Sequence, residues 1–251
     1  MTLSARCELI AELATNHGGD LALAEEMIRA AADSGADWVK TQGYQIRHLP
    51  SSDPQYEWLK QCELSERAHE RLMTQAQQCG VRYLSTAYTS ADLERFSRLG
   101  LRSVKIGSGE SANPSLCRHA TLFDTVIASV AWGEVPATLY SVALKPTWRV
   151  MTTVPLYPMP PECFDLAGRT VGPMTGWSDH ADGIAVAQIA MARGAPLVEK
   201  HFSLPGRGRN EAWDMWPDDL RRLRAWAETC AIALGGTRYH GRWSEQIPWR
   251  M

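Results

Sequence analysis

The apolar positions of this chain fall into two alternating kinds of block. Short, nearly continuous apolar runs read as strands buried on both faces. They are Glu8–Ala14, Trp38–Thr41, Arg82–Ala87, Ser103–Gly107, Thr125–Val130, Arg149–Leu156, Gly172–Trp177 and Pro196–His201. Longer segments between them carry apolar residues at helical spacing. In Leu21–Ser34, Leu23, Met27 and Ala30 recur at three and four, with Asp20 as N-cap and Gly35 as the stop. In Asp218–Leu234, the residues Leu220, Leu223, Ala227, Cys230 and Leu234 share one face, and Gly235-Gly236 ends it. Such stripes pack against a core. A helix over Gly183–Arg193, stopped at Gly194, joins the last two strands and makes them parallel neighbours. Eight strand–helix units in 251 residues predict a single-domain (β/α)8 TIM barrel over residues 1–251. A doubly wound open sheet is the competing arrangement. No linker, low-complexity stretch or short repeat interrupts the pattern. The segment Gln45–Gln55 is the longest polar insertion, and it belongs to the face where a barrel keeps its chemistry.

A net charge of −2 gives no reason to expect a nucleic-acid or membrane-surface partner. The cysteines Cys7, Cys62, Cys79, Cys117, Cys163 and Cys230 are scattered, with no CxxC or zinc spacing. Cys62, Cys79, Cys117 and Cys230 fall in helical segments, where cysteine is usually a small buried hydrophobe. That usage suits a reducing cytoplasm, the expected location. No apolar run has the length of a membrane span, and the first residues lack a signal-peptide pattern.

A barrel collects its functional groups just after each strand. The first strand leads to Glu12, Asn16 and His17, the second to Lys40 and Gln42, the third to Ser85-Thr86. The fourth gives Lys105-Ile106-Gly107-Ser108-Gly109-Glu110, the fifth Ser129 and the sixth Tyr157. Lysines, small hydroxyls and glycines around one mouth make a cradle for phosphate or carboxylate. Lysine supplies a point charge, and glycine lets backbone N–H groups approach the anion. Ser178-Asp179-His180 and Glu199-Lys200-His201-Phe202 close the seventh and eighth strands. Two imidazoles converging there point to a divalent-metal site, although each alone reads more readily as a hydrogen-bonded strand end.

These residues resemble the sialic acid synthase family, which condenses phosphoenolpyruvate with a sugar. The resemblance runs from about Glu8 to Trp249. Its motifs follow in order. Ile10-Ala11-Glu12 and Asn16 to Asp20 come first, then Gly35 to Gln42, then Glu63-Leu64-Ser65 with Tyr83 to Thr86. Lys105 to Glu110, Leu156-Tyr157-Pro158, Gly176 to His180 and Glu199 to Phe202 complete the series. The resemblance implies a metal-dependent aldol-type condensation. It makes His180 and His201 ligands of a divalent ion, usually manganese, with magnesium or cobalt as alternatives. It gives phosphoenolpyruvate to Lys40, Lys105, Ser108, Ser129 and Ser178, with Thr86 nearby. Gln42, Glu110 and Tyr157 face the acceptor sugar, and Glu110, Glu12 and Tyr157 are the candidate catalytic residues. Other reaction classes stay open: an isomerase or lyase on a small phosphorylated or carboxylated molecule, or a non-catalytic binding barrel.

The chain departs from the family pattern mainly on the acceptor side. Pro155 stands at a position that is often polar in the family, and Ala87 replaces a proline. Val130-Ala131-Trp132 replaces Thr-Gly-Met, and Asn210-Glu211 replaces an Asp-His pair. The sequence stops at Met251, about where the family's C-terminal antifreeze-like domain and its acyl-binding arginine begin, so that domain is expected to be missing. The expectation is a small-molecule acceptor other than N-acetylmannosamine, or a site completed by a second copy in a homo-oligomer. Gln45–Gln55 and Gly206–Trp216 should overhang the mouth, with Arg207 and Arg209 as substitute cations. Trp213, Trp216, Trp243 and Trp249 cluster late in the chain, either covering surface or packing the last helix.

Overall fold

Inward-facing residues in this protein form stacked layers, because successive side chains of a strand alternate between faces. The computed structural model describes residues 6–140, 147–167, 171–172 and 175–234. Pro173, Gly235-Gly236, Trp243 and Trp249 lie outside the described residues. The strands are β1 (Glu8–Ala14), β2 (Trp38–Gln42), β3 (Arg82–Ala87), β4 (Ser103–Ile106), β5 (Thr125–Ala131), β6 (Trp148–Thr153), β7 (Thr175–Asp179) and β8 (Leu197–His201). All neighbours pair in parallel, and β1 closes on β8. The closed order settles the choice between barrel and open sheet.

At the amino-terminal end, the Glu8 carboxylate accepts from Trp38 Nε1 at 2.7 Å and pairs with Arg149 at 2.6 Å and Arg82 at 3.0 Å. One pleat higher, Ile10, Trp38, Leu84, Ile127, Met151 and Leu197 fill the barrel as an apolar plug. The next inward residues are Glu12, Lys40, Thr86, Ser129, Thr153 and Glu199, two positions further along those same strands. The plug keeps water out from below, so the polar layer opens in one direction only.

Helices cover the outside. Among the described residues they are α1 (Leu21–Asp33), α2 (Tyr56–Cys62), α3 (Glu66–Gln78), α4 (Ser90–Arg98), α5 (Pro114–Ala120), α6 (Ala137–Tyr140), α7 (Cys163–Ala167), α8 (Ala185–Ala192) and α9 (Pro217–Leu234). Asp20 caps α1 as expected, accepting from Ala22 N and Leu23 N. Leu23 and Met27 of α1 and Leu220, Leu223 and Ala227 of α9 are buried in the shell around the barrel. The stripe on α9 runs out at Leu234, which is 53% exposed. The segment Gln45–Gln55 contains a short 3-10 turn at Ile46–His48 and leads into α2. All six cysteines are free, and no helix among the described residues is long and apolar enough to cross a membrane.

Two strands end more than one residue from their expected limits. β6 stops at Thr153 instead of reaching Leu156, because Pro155 has no N–H to continue the ladder. β7 ends at Asp179 instead of Trp177, since Thr153 pairs with Ser178 and Asp179 with Lys200. Ser178 is therefore part of the wall and not of the loop above it.

Candidate active site

A polar cavity of about 170 Å3 opens at the carboxyl ends of the strands. Its register follows from the sheet: Glu12 lies beside Lys40 on β2 and His201 on β8, Thr86 beside Lys105, and Ser178 beside Glu199. Lys40 Nζ sits 2.7 Å from the Glu12 carboxylate and donates to Thr86 Oγ1 at 3.2 Å. Lys105 Nζ donates to Ser129 Oγ at 2.8 Å. Ser178 Oγ donates to Glu199 Oε1 at 3.0 Å, and that oxygen lies 3.6 Å from Lys40 and 3.7 Å from Lys105. Both lysines and both carboxylates are buried. Ion pairs this dry persist only when each charge keeps a partner.

Burial divides the roles of these groups. Desolvation pushes the Glu12 carboxyl up, against the opposing pull of Lys40. Glu199 is also desolvated, but Lys105 and Lys40 outweigh that and hold it below the usual carboxylate range. Burial brings Lys105 down to about 8, with Glu199 opposing. Lys40 is desolvated too, yet Glu12 and Glu199 keep it above its ordinary value. Glu110 is raised by desolvation. It follows the turn Gly107–Gly109, where a Cβ on Gly107 would lie 2.4 Å from Glu110 Oε2. Glycine there lets the carboxylate lie against the backbone. Ser108 lines the cavity from the same turn.

His180 and His201 stand at the opposite wall, ring centroids 5.6 Å apart. His180 Nδ1 lies 3.0 Å from the carbonyl of Val154, which fixes that nitrogen as the N–H donor and leaves Nε2 with its lone pair. Desolvation takes His180 down to about 4 and, with His180 adding to it, holds His201 well below the imidazole range. Two neutral imidazoles are the form that ligates a cation. Beside them, Glu199 Oε2 is buried without a hydrogen-bond partner among the described residues. The donor set therefore fits a divalent ion. No group of three or more His, Cys, Asp or Glu placed to hold a metal ion occurs among the described residues, so the two imidazoles are the ligands the chain itself offers there.

Behind the histidines, Lys200 Nζ donates to Asp179 Oδ2 at 3.1 Å and to the Ala181 carbonyl at 2.6 Å. Both side chains are fully buried on the outer face of the wall. This pair ties β7 to β8 at the level of the two rings.

All the expected site residues, Glu12, Lys40, Gln42, Thr86, Lys105, Ser108, Glu110, Ser129, Tyr157, Ser178, His180 and His201, line this one cavity. Asn16 and His17 do not, although Asn16 lines the annex described below. The β1 register slips between Glu12 and Ala14, Ala14 takes φ 46°, and the chain turns away from the mouth. Asn16 Nδ2 instead donates to the Phe202 carbonyl and to Asp214 Oδ2, both at 3.1 Å. His17 Nδ1 accepts from Gly19 N at 3.1 Å. Sequence reasoning missed Glu199, Thr153 and Tyr88 as lining residues. Glu199 was within reach, since it shares the face of His201 two residues on.

An outer annex of about 350 Å3 adjoins the cavity and shares Gln42, Tyr157 and His201 with it. Gln55 and Arg209 line it, so both expected overhanging segments contribute. Trp213 lies edge-on to Tyr157 at 5.5 Å and to His201 at 6.5 Å. It belongs to the site and not to the packing of α9, whereas Trp216 is 47% exposed. The Arg207 expectation fails: its guanidinium reaches out to Glu26 of α1 at 3.1 Å. Arg209 is ion-paired with Glu211.

Comparison with known proteins gives consistent relatives. A family model described as "NeuB family" matches residues 27–239. An N,N'-diacetyllegionaminic acid synthase of Campylobacter jejuni is 31% identical over 90% of this chain and 77% of its own length. One from Legionella pneumophila is 32% identical over 88% and 71%. The structure of an N-acetylneuraminic acid synthetase from Leptospira borgpetersenii superposes with a TM-score of 0.82 at 27% identity, covering 97% of this chain and 90% of that one.

Proposed function

The chain belongs to the NeuB family, and we propose that it condenses phosphoenolpyruvate with an aldose in the presence of a divalent metal ion, releasing phosphate. It is a carbon–carbon bond-forming transferase of the sialic acid synthase type. The observation that carries this reading is the convergence of two buried lysines on one small cavity whose far wall holds two neutral imidazoles. A cradle for a doubly anionic substrate and a cation site face one another across a short gap.

In this reading Lys105, Ser129 and the Gly107–Gly109 turn grip the phosphate, while Lys40, Thr86 and Ser178 hold the carboxylate side. His180 and His201 would hold a divalent ion, manganese first, with magnesium or cobalt as alternatives, which would supply Lewis-acid polarisation at the acceptor carbonyl. Gln42 and Tyr157 position the acceptor so that C3 of phosphoenolpyruvate faces the aldehyde carbon. Holding the two substrates in register supplies much of the acceleration. The new bond joins those two carbons, water adds at C2, and the C2–O bond to phosphate breaks. Glu110, raised by desolvation, moves the proton between that water and the departing or forming oxygens. Glu12, also raised, keeps Lys40 in place and is a second proton store.

The test is phosphate release from phosphoenolpyruvate by the purified chain with manganese and a panel of aldoses. Release that needs both the aldose and the metal is expected, with a 2-keto-3-deoxy acid as product. Full activity after chelation would overturn the metal assignment. Product without loss of phosphate would point instead to a lyase.

A further inference from the structure

The annex carries information about the acceptor that the inner cavity does not. Its shared residues, Gln42, Tyr157 and His201, lie where the acceptor's aldehyde end must stand. The rest of that molecule extends into the annex. Arg209 is the one cation and Glu211 the one carboxylate among the described residues that line it, and they are bonded to each other.

Backbone geometry fixes this pair in place. Gly208 takes φ 62°, and a Cβ there would lie 2.0 Å from the Asn16 carbonyl. Only glycine allows that approach. The next residue donates Arg209 N to the same carbonyl at 2.9 Å. The Arg209 guanidinium then lies 5.4 Å above the ring of Trp58 on α2. Trp58 Nε1 is itself held by Thr15 Oγ1 at 3.1 Å. Trp213 forms a further aromatic wall.

Resting on the reaction proposed above, we infer that the acceptor is a neutral aldose and not a sugar phosphate, and that the Arg209–Glu211 pair selects it. The guanidinium is already neutralised by a carboxylate, so the described residues of the annex offer donors and acceptors but no net positive charge. Hydroxyl and acylamino groups find partners on both members of the pair. A phosphate at the far end of the sugar meets Glu211 and is left without a free cation. Groups that a site leaves unpaired on burial are rejected strongly. Trp213 suits the C–H face of a sugar.

The experiment measures kcat/KM for the full chain with phosphoenolpyruvate and manganese on matched pairs: N-acetylmannosamine and its 6-phosphate, mannose and mannose 6-phosphate, arabinose and arabinose 5-phosphate. Neutral members should exceed their phosphates by about tenfold or more, roughly the loss of one charge-assisted hydrogen bond. Glu211→Gln uncovers the guanidinium and should shift the ratio toward the phosphates by about fivefold or more. Arg209→Ala should raise KM for the neutral acceptor about tenfold while leaving KM for phosphoenolpyruvate as it was. A wild-type preference for phosphorylated members overturns the inference and leaves the reaction intact. So does a ratio unmoved in both variants. Absence of phosphate release with every aldose counts against the reaction itself and removes the inference with it.

Discussion

The inner cavity and the annex share a wall but are held by different kinds of structure. In the cavity the two lysines, Glu12 and Glu199 stand on strands, and their partners come from neighbouring strands: Lys40 with Glu12, Lys105 with Ser129, Ser178 with Glu199. All are buried. In the annex, Arg209 and Glu211 lie two residues apart in one loop and are partly exposed. Moving a cavity group means moving the sheet. Moving an annex group means remodelling a surface loop, which costs little. The difference separates rigid geometry around the proposed phosphoenolpyruvate site from a more adjustable surface around the proposed acceptor.

The largest expected effect tests the strand-borne half. His180→Ala and His201→Ala should each lower kcat by about a thousandfold, the several kcal/mol that a metal contributes to transition-state charge. Chelation should do the same to the intact protein, and melting temperatures of the variants should stay near the parent's. Variants that keep a tenth of the activity would mean the rings are structural strand ends.

The next prediction contrasts the two ion pairs. Lys200→Met leaves Asp179 buried without its cation, which costs roughly 3–5 kcal/mol and should lower Tm by about 10 °C at this length. The double variant Lys200→Met/Asp179→Leu should recover most of that, because the charge and its partner go together. Arg209→Ala, on the exposed pair, should cost less than about 1 kcal/mol of stability. Calorimetry on the three proteins decides it. Equal losses would erase the distinction between wall and loop.

How far the sequence could be read follows the same division. Strand-borne groups were legible, because a residue's place on a parallel strand fixes both its height and its face. Lys40, Lys105, His180 and His201 needed only that rule. Glu199 obeyed it as well and was overlooked although it lies one pleat below His201. What the rule cannot reach is backbone that leaves the sheet. The slip after Glu12 and the positive φ at Ala14 take His17 out of the site and Asn16 out to the annex, and no apolar periodicity signals it. Trp213 and Arg209 sit in a loop whose course is set by Gly208 against Asn16. That contact joins residues far apart in the chain and has no local signature. Arg207 and Arg209 look alike in sequence, yet one reaches α1 and the other the site.

Within the cavity, binding and chemistry should separate by tens of fold. Lys105→Ala should raise KM for phosphoenolpyruvate about ten- to a hundredfold, since a lost phosphate contact acts in the ground state too. Glu110→Gln should lower kcat by about a hundredfold with that KM little changed. The pH profile gives an independent check. Burial brings the Lys105 ammonium down to about 8, with Glu199 opposing. Its charged form, the one that binds the anion, is present below that value and is lost as pH rises through it. The alkaline limb of kcat/KM for phosphoenolpyruvate should therefore fall near pH 8. Lys105→Arg, charged throughout, should move the limb to higher pH. A limb that stays put in the arginine variant assigns it to another group.

The smallest expected effect probes the boundary between the two regions. Trp58 does not line the annex but supports two residues that do, Arg209 and Thr15. Its ring lies under the guanidinium, its Nε1 bonds to Thr15 Oγ1, and a Cβ on Gly18 would sit 3.3 Å from its Cη2. Trp58→Phe keeps an aromatic face but removes the N–H and weakens the cation–π contact, a change of roughly 0.5–1 kcal/mol. KM for the acceptor should rise about threefold. KM for phosphoenolpyruvate and kcat should not move, because Arg209, Thr15 and Gly18, the neighbours of this ring named above, all lie off the strands. Steady-state kinetics with each substrate varied in turn reads the difference directly. A matching rise in KM for phosphoenolpyruvate would mean that the α2 segment supports the cavity as well. Donor and acceptor recognition would then be one structure and not two.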